Sequence, residues 1–360
     1  MFLLNILGSF SNIDFSKFEN ILEYIPTNNN KISNQAFEDD EMLICLRKFV
    51  NKNNKKKYIV SLSGGVDSMV LATILCYLGY EVVGIHINYN NRKETIDEAK
   101  FMQMWCKYNE IKLYIKNIDN ITRGSLKRSE YETYTRKIRF DLYQEVLSLE
   151  NCDEILLGHH KDDIVENIVA NVCRGRNLLN LAVIKETNIV NDIIMVRPMI
   201  DLYKESVYNF AHKNNVPYFK DTTPNWSVRG KYRNNLDYNL RDIFGENVKE
   251  NLIGLARQSD EWNILIMKQI IEPFLESVKH NYDGINDNIY FNVENYLEYP
   301  LCFWNIVFAK LFYYYGKNSP SRKGIQTFMN SISNNGKISI SNNCICRITN
   351  YNVSICFKIL

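Results

Sequence analysis

"SLSGGVDS", residues 61–68, follows the apolar run Tyr58-Ile59-Val60 and precedes "MVLATILCYLG", residues 69–79, which has the make-up of a buried helix. Two glycines set among small hydroxyls and an acid, where a strand hands over to a helix, have two readings. A tight turn capped by Ser63 or Asp67 accounts for the residue types. An anion cradle accounts for their position as well: backbone N–H groups at the positive end of a helix dipole stabilise a phosphate. Ser61, Ser63 and Ser68 add hydroxyl donors, and Gly64 and Gly65 let the backbone come close. The chain contains neither G-x-x-x-x-G-K-S/T nor G-x-G-x-x-G, which sets aside the lysine-bearing γ-phosphate loop and the dinucleotide fingerprint.

Outward from this stretch, short apolar runs alternate with amphipathic ones. The pattern predicts strands at 59–62, 81–87, 111–118, 154–159 and 193–198, and helices over 67–78, 94–108, 130–149, 161–172 and 201–214. Such alternation predicts an α/β fold with a doubly wound parallel sheet, in which ligands bind outside the carboxyl ends of the strands. Residues 1–57 read as a polar helical extension and 58–220 as the nucleotide-binding domain. Residues 221–280 read as an Arg-rich connector with a helical subdomain, and 281–360 as a small carboxy-terminal α+β domain ending in antiparallel strands over 337–359.

At 360 residues and 46% hydrophobic composition, the chain has ample material for packed cores. A net charge of +2 gives no global polyanion signal, so nucleic-acid contacts would come from local patches such as "NKNNKKK", 51–57, or from none if that run is a solvated linker. The nine cysteines include no C-x-x-C pair, which points to reduced thiols rather than a disulfide, zinc or iron–sulfur framework, with Cys344-x-Cys346 on one face of a strand. "MFLLNILGSF" lacks the basic start and cleavage site of a secretion signal, and no apolar run reaches about 18 residues. The expectation is a cytoplasmic protein without a membrane anchor.

S-G-G-x-D-S after the first strand of a parallel sheet resembles the pyrophosphate loop of the N-type ATP pyrophosphatases. Three further stretches narrow the resemblance. "GHHKDDIVEN", 158–167, is similar to the GHHxDDxxET motif of tRNA(Ile)-lysidine synthases and their 2-thiocytidine relatives, with Asn167 in place of threonine. "YETYTRKIRF", 131–140, resembles the helix that carries E-A-x-A-R-x-x-R-Y in those enzymes, matched by Glu132, Arg136, Arg139 and Phe140. The run from Arg197-Pro198 to "YRNNL" resembles the lysidine synthase sequence through Pro217, Asp221, Asn225, Arg233 and Asn234. The departures are "CRGRNLLNLAVI", 173–184, which keeps Arg174 and Gly175 but not the later glycines, a proline inserted in "DTTPN", and Asp237 where an arginine is expected.

The resemblance implies a ligase that uses ATP and Mg²⁺ to adenylate the C2 oxygen of the first anticodon cytidine of an isoleucine tRNA. The ε-amine of free L-lysine then displaces AMP to form lysidine. Adenylation turns a poor leaving oxygen into a good one, and an amine of pKa near 10.4 is neutral in only about one molecule per thousand at pH 7, so a base is needed. It also implies the site residues: Ser61, Ser63, Gly64, Gly65, Asp67 and Ser68 for ATP, and Asp67, His159, Asp162, Asp163 and Arg136 for catalysis. Asp67 and Asp163 are the metal candidates, and Arg139, Arg174, Asp221, Asn225, Arg233 and Asn234 are the tRNA or substrate contacts. Arg229, Lys231, Arg233 and Arg241, with Trp226 and Tyr232 interleaved, suit phosphate contacts and base stacking, or else an ordinary polar hinge. A homodimer is compatible with the pattern. Two alternatives stay open: a 2-thiocytidine-type tRNA sulfurtransferase, disfavoured by the lack of C-x-x-C pairs, and a tRNA-binding homologue without turnover.

Overall fold

The computed structural model describes residues 14–26, 39–90, 94–119, 127–220, 227–282, 286–341 and 344–358. The chain forms two compact units, Met1–Cys173 with Ala182–Ile253, and Arg174–Leu181 with Gly254–Leu360.

The first unit is built on a six-stranded sheet. Its strands are β2 (Lys57–Ser61), β3 (Glu81–Asn88), β4 (Lys112–Asn117), β5 (Glu154–Leu156), β6 (Thr187–Val190) and β7 (Ile193–Val196), in the order β4-β3-β2-β5-β7-β6. All neighbours are parallel except β6, which returns antiparallel along β7. The doubly wound expectation holds, with one antiparallel edge that the sequence pattern did not suggest.

Alternation of side chains explains why both faces are covered. Tyr58, Val60, Val82, Leu156 and Val196 bury one face against α1 (Glu41–Asn53), α2 (Val66–Tyr77), α3 (Thr95–Tyr108) and α6 (Lys204–Lys213). Their neighbours Ile59, Val83, Ile155 and Met195 bury the other face against α4 (Arg128–Glu150). Helix α2 is buried nearly all round, as its largely apolar sequence after Ser68 requires.

The described part of 1–57 shares this core through Phe15, Leu22, Met42, Leu43 and Leu46. Its strand β1 (Leu22–Tyr24) pairs antiparallel with β8 (Tyr218–Phe219), a contact across nearly 200 residues. In the basic run "NKNNKKK", Lys55 pairs with Asp153 and Glu154 and Lys57 with Glu150 and Glu81, whereas Lys52 and Lys56 are exposed.

The second unit contains a five-stranded antiparallel sheet of β9 (Lys279–Tyr282), β10 (Asn286–Asn292), β11 (Gly336–Ser341), β12 (Cys344–Thr349) and β13 (Asn352–Lys358), ordered β11-β12-β13-β10-β9. Trp304, Phe308 and Phe312 of α7 (Leu301–Tyr314) and Phe328 of α8 (Arg322–Ser331) pack in its core with Phe357 and Ile355. Cys344 and Cys346 share its buried face, and burial pushes both thiols up to about 12. All nine cysteines are free. Among the described residues, no helix is long and apolar enough to cross a membrane.

Candidate functional site

The chain order turns from one side of β2 to the other between β4 and β5, so the loops after β2 and β5 flank a crevice at the carboxyl ends of the strands. A cavity of about 710 Å³ occupies it.

The loop after β2 forms its floor. Ser61 Oγ lies 2.7 Å from the Tyr143 hydroxyl of α4, which fixes the strand end. Gly64 adopts φ +82°, and its carbonyl accepts the Phe219 N–H at 2.9 Å. A Cβ at Gly64 would lie 2.0 Å from Phe219 Cε2, so both the positive φ and the close ring demand glycine. Ser63 Oγ accepts the Gly65 N–H, and Ser68 Oγ donates to the Gly65 carbonyl. Gly65 caps α2 without a side-chain hydrogen bond. The first-turn N–H groups of α2, which have no intrahelical acceptor, are thereby left for an anion.

The loop after β5 forms the adjoining wall. Gly158 lets it pass against the start of α2, where a Cβ would lie 2.9 Å from the Asp67 carbonyl carbon. His159 and Asp163 face the cavity, the latter from the first turn of α5 (Lys161–Cys173). The buried His160 Nε2 lies 3.6 Å from Asp67 and 3.4 Å from Asp163, so one imidazole separates two carboxylates of the site.

Cations complete the arrangement. Lys204 Nζ, at the start of α6, donates to both Asp67 oxygens at 2.7 Å each. Arg229 donates to Asp163 and, at 2.8 Å, to Glu166; Arg233 donates to Glu166 at 2.5 Å. Burial would raise the Asp163 carboxyl, but His160, the Arg229 guanidinium and the His160 N–H outweigh it and hold it below the usual range. Asp162 is likewise held low against its burial, by His160, by Lys249 Nζ at 2.6 Å and by the Lys204 backbone N–H at 2.8 Å. Burial pushes His159 down to about 4; Asp163 opposes this, and Arg197 and Arg229 add to it.

The cavity wall brings together Ser61, Ser63, Gly65, Asp67, Ser68, Arg139, His159, Asp163 and Arg233. Five expected residues take other places. Gly64 shapes the loop from beneath, and Asp162 turns away to tie the start of α6 to α5. Arg136 stacks over Phe140 at 5.2 Å from the side of α4, outside the wall, and Asn234 is exposed. Arg174 is exposed in the second unit. Asp221, Asn225 and Trp226 lie outside the described residues. Asn167, in the threonine position, accepts the Val183 N–H at 2.9 Å, and Asp237 pairs with Lys249 at 3.1 Å.

Lys204 and Glu166 were not singled out as site residues from sequence, and Arg229 was read there only as part of a basic stretch suited to RNA phosphates. A lysine in the first turn of a helix opposes the helix dipole, and that was the available signal for Lys204. Among the described residues, no group of three or more His, Cys, Asp or Glu could hold a metal by itself. Mg²⁺ commonly takes one or two carboxylates and fills its octahedron with phosphate oxygens and water. Asp67 and Asp163 both line the cavity with their oxygens engaged, those of Asp67 by Lys204 Nζ and those of Asp163 by Arg229 and the His160 N–H, so either would exchange a hydrogen-bond donor for the ion; Asp67 stands in the first turn of α2, beside the phosphate loop where an ATP-borne ion would arrive.

A family model described as a PP-loop domain matches residues 39–240. The chain belongs to the PP-loop family. The PP-loop match begins after β1, so the strand that brings Glu23 to the cavity precedes it. The tRNA(Ile)-lysidine synthase of Chlamydia caviae is 29% identical over 247 residues, covering 68% of this chain and 76% of the relative. That of Chlamydia felis is 28% identical over 248 residues, covering 66% and 77%. Among solved structures, the U34-tRNA thiolase NcsA from Methanococcus maripaludis, with its 4Fe–4S cluster, is similar with a TM-score of 0.51. It is 20% identical, covering 65% of this chain and 82% of that one, and its likeness to this PP-loop chain concerns the fold alone.

Proposed function

We propose that this protein is an ATP-dependent tRNA-modifying ligase that adenylates the C2 oxygen of an anticodon cytidine and joins lysine to that carbon, releasing pyrophosphate and then AMP. One observation carries the reading: a single cavity in the first unit holds the phosphate loop, the Asp67–Lys204 pair and the Asp163–Arg229 pair together. The lysidine synthase relatives support the choice of reaction within the family.

In this reading the α2 amino terminus and the loop serines bind the pyrophosphate portion of ATP, and Lys204, Arg139 and Arg229 balance its charge. Mg²⁺ carried on the ATP phosphates would find its protein ligand in Asp67, and bound there it offsets charge on the departing pyrophosphate. Asp163, held ionised, is suited to attract the lysine ammonium rather than to take its proton. Among the described residues, no cysteine lines the cavity, which favours nitrogen transfer over the sulfurtransferase alternative.

The test is mass spectrometry of tRNA nucleosides after incubation of the full chain with ATP, Mg²⁺, lysine and an isoleucine tRNA bearing a first-position cytidine. The expected result is lysidine with stoichiometric AMP. Binding of tRNA with no ATP consumed would establish the non-catalytic alternative instead.

A further inference from the structure

Arg197 is 5% exposed and follows β7 directly. Its Nε–H points at Nδ1 of His159 at 3.0 Å. Its Nη1 donates to the Lys185 carbonyl and to Asn188 Oδ1, both at 2.7 Å, and its backbone N–H donates to the Glu186 carbonyl. The antiparallel β6 and the residues before it thus hold this guanidinium in one orientation. An arginine has only donors, so the ring nitrogen that meets it must be the acceptor. A neutral imidazole with an accepting Nδ1 carries its proton on Nε2. Among the described residues, His159 Nε2 has no hydrogen-bond partner in the protein, and His159 lines the cavity.

We propose that Arg197 is a positioning residue that fixes His159 as its Nε2–H tautomer, so that His159 offers a hydrogen-bond donor, not a proton acceptor, to a substrate oxygen in the cavity. The oxygen is of the class that gains negative charge in the reaction: a nucleotide phosphate oxygen or the oxygen bound to the activated pyrimidine carbon. That identification rests on the proposed ligase reaction; the tautomer does not. The sequence pairs His159 with acids as though it were a base, but a base at Nδ1 would have to displace a buried guanidinium. At Nε2 the proton is already in place.

Two measurements separate the roles. Long-range proton–nitrogen correlation spectra of the full chain labelled with ¹⁵N-histidine should show His159 at neutral pH with a bare Nδ1 and a protonated Nε2. A protonated Nδ1 overturns the proposal, whatever reaction the protein catalyses. In R197M the lock is lost and a mixture of tautomers is expected; should that variant fail to fold, the native spectrum and the following pair still decide. Glutamine has one acceptor for Arg197 and one donor for the cavity, so H159Q should keep turnover within about tenfold of the native protein. H159A should lose about a hundredfold, as when one donor to a developing charge is removed. Equal loss in H159Q and H159A overturns donation. If the native protein forms no lysidine, Mg²⁺–ATP binding by calorimetry replaces turnover in the same comparison, and the ligase reading fails separately from the tautomer.

Discussion

Lys204 Nζ meets both oxygens of Asp67 at 2.7 Å, joining the first turn of α6 to the first turn of α2 above the phosphate loop. Asp162 prepares this contact by accepting the Lys204 N–H, so a residue outside the cavity sets the position of a cation inside it. Replacing Lys204 with methionine keeps the stem and leaves a bare carboxylate beside the site where the ATP phosphates would lie. The loss of a charged hydrogen bond of about 1.5–3 kcal/mol corresponds to roughly 10- to 100-fold weaker ATP binding. Calorimetric titration of K204M with Mg²⁺–ATP checks this, and unchanged affinity would remove Lys204 from the nucleotide site.

The loop glycines differ in what they tolerate. Gly64 combines φ +82° with a ring 2.0 Å from its absent Cβ, whereas the nearest atom to a Cβ at Gly65 is Ser63 Oγ at 3.4 Å. Gly64→Ala is expected to cost about 1–3 kcal/mol through backbone strain and displacement of Phe219, and to weaken nucleotide binding because β8 shifts with that ring. Gly65→Ala should fold with less than about 1 kcal/mol lost. Urea denaturation of the two variants measures the contrast, and equal losses would show that the Gly64 geometry is not needed.

How much of this was legible in the sequence follows from the range of each interaction. The strand and helix assignments around the loop rested on local periodicity, and β2, β3, β4 and β5 with their helices lie close to where the apolar pattern puts them. The β1–β8 pair was not legible, because strands of two and three residues carry almost no periodic signal and their partners lie far apart in the chain. The same limit applies to the site. Both adjacent acids in "HHKDD" read as catalytic candidates, yet Asp163 faces the cavity and Asp162 faces α6, since successive helical residues point about 100° apart. Arg136 and Arg139 share a helix face by spacing, but only Arg139 reaches the cavity wall.

Asp163 couples function to stability. Its carboxylate is 4% exposed and faces Arg229 and Arg233, while the His160 N–H caps its other oxygen at 3.1 Å. Asp163→Asn keeps shape and one acceptor but removes the charge that both guanidinium groups face. Arg229 is half exposed, so solvent compensates part of the loss, and the expected destabilisation is about 1–3 kcal/mol. Turnover should fall by about a hundredfold or more if this carboxylate contacts the reacting groups. Denaturation and lysidine formation measured on the same preparation separate the two effects. Full activity in a folded D163N protein would assign Asp163 to the scaffold.

Glu150 offers a pH prediction away from the cavity. It ends α4, where a carboxylate opposes the helix dipole, and so it depends on cations from the sheet. Lys112 Nζ and the Tyr114 hydroxyl reach one oxygen at 2.7 Å each, and Lys57 Nζ reaches the other at 2.9 Å. These hydrogen bonds hold the Glu150 carboxyl down at about 2, against roughly 4.3 in an unfolded chain. Between those values the unfolded chain binds a proton that the folded protein does not, so the contribution is complete above about pH 5 and is lost as pH falls toward 2. Glu150→Gln should therefore cost about 1–3 kcal/mol at pH 7, and its difference from the native protein should shrink steadily below about pH 4. Chemical denaturation across that range measures the difference directly; a gap of the same size at pH 7 and pH 3 would mean that the ionised form of Glu150 does not stabilise the fold.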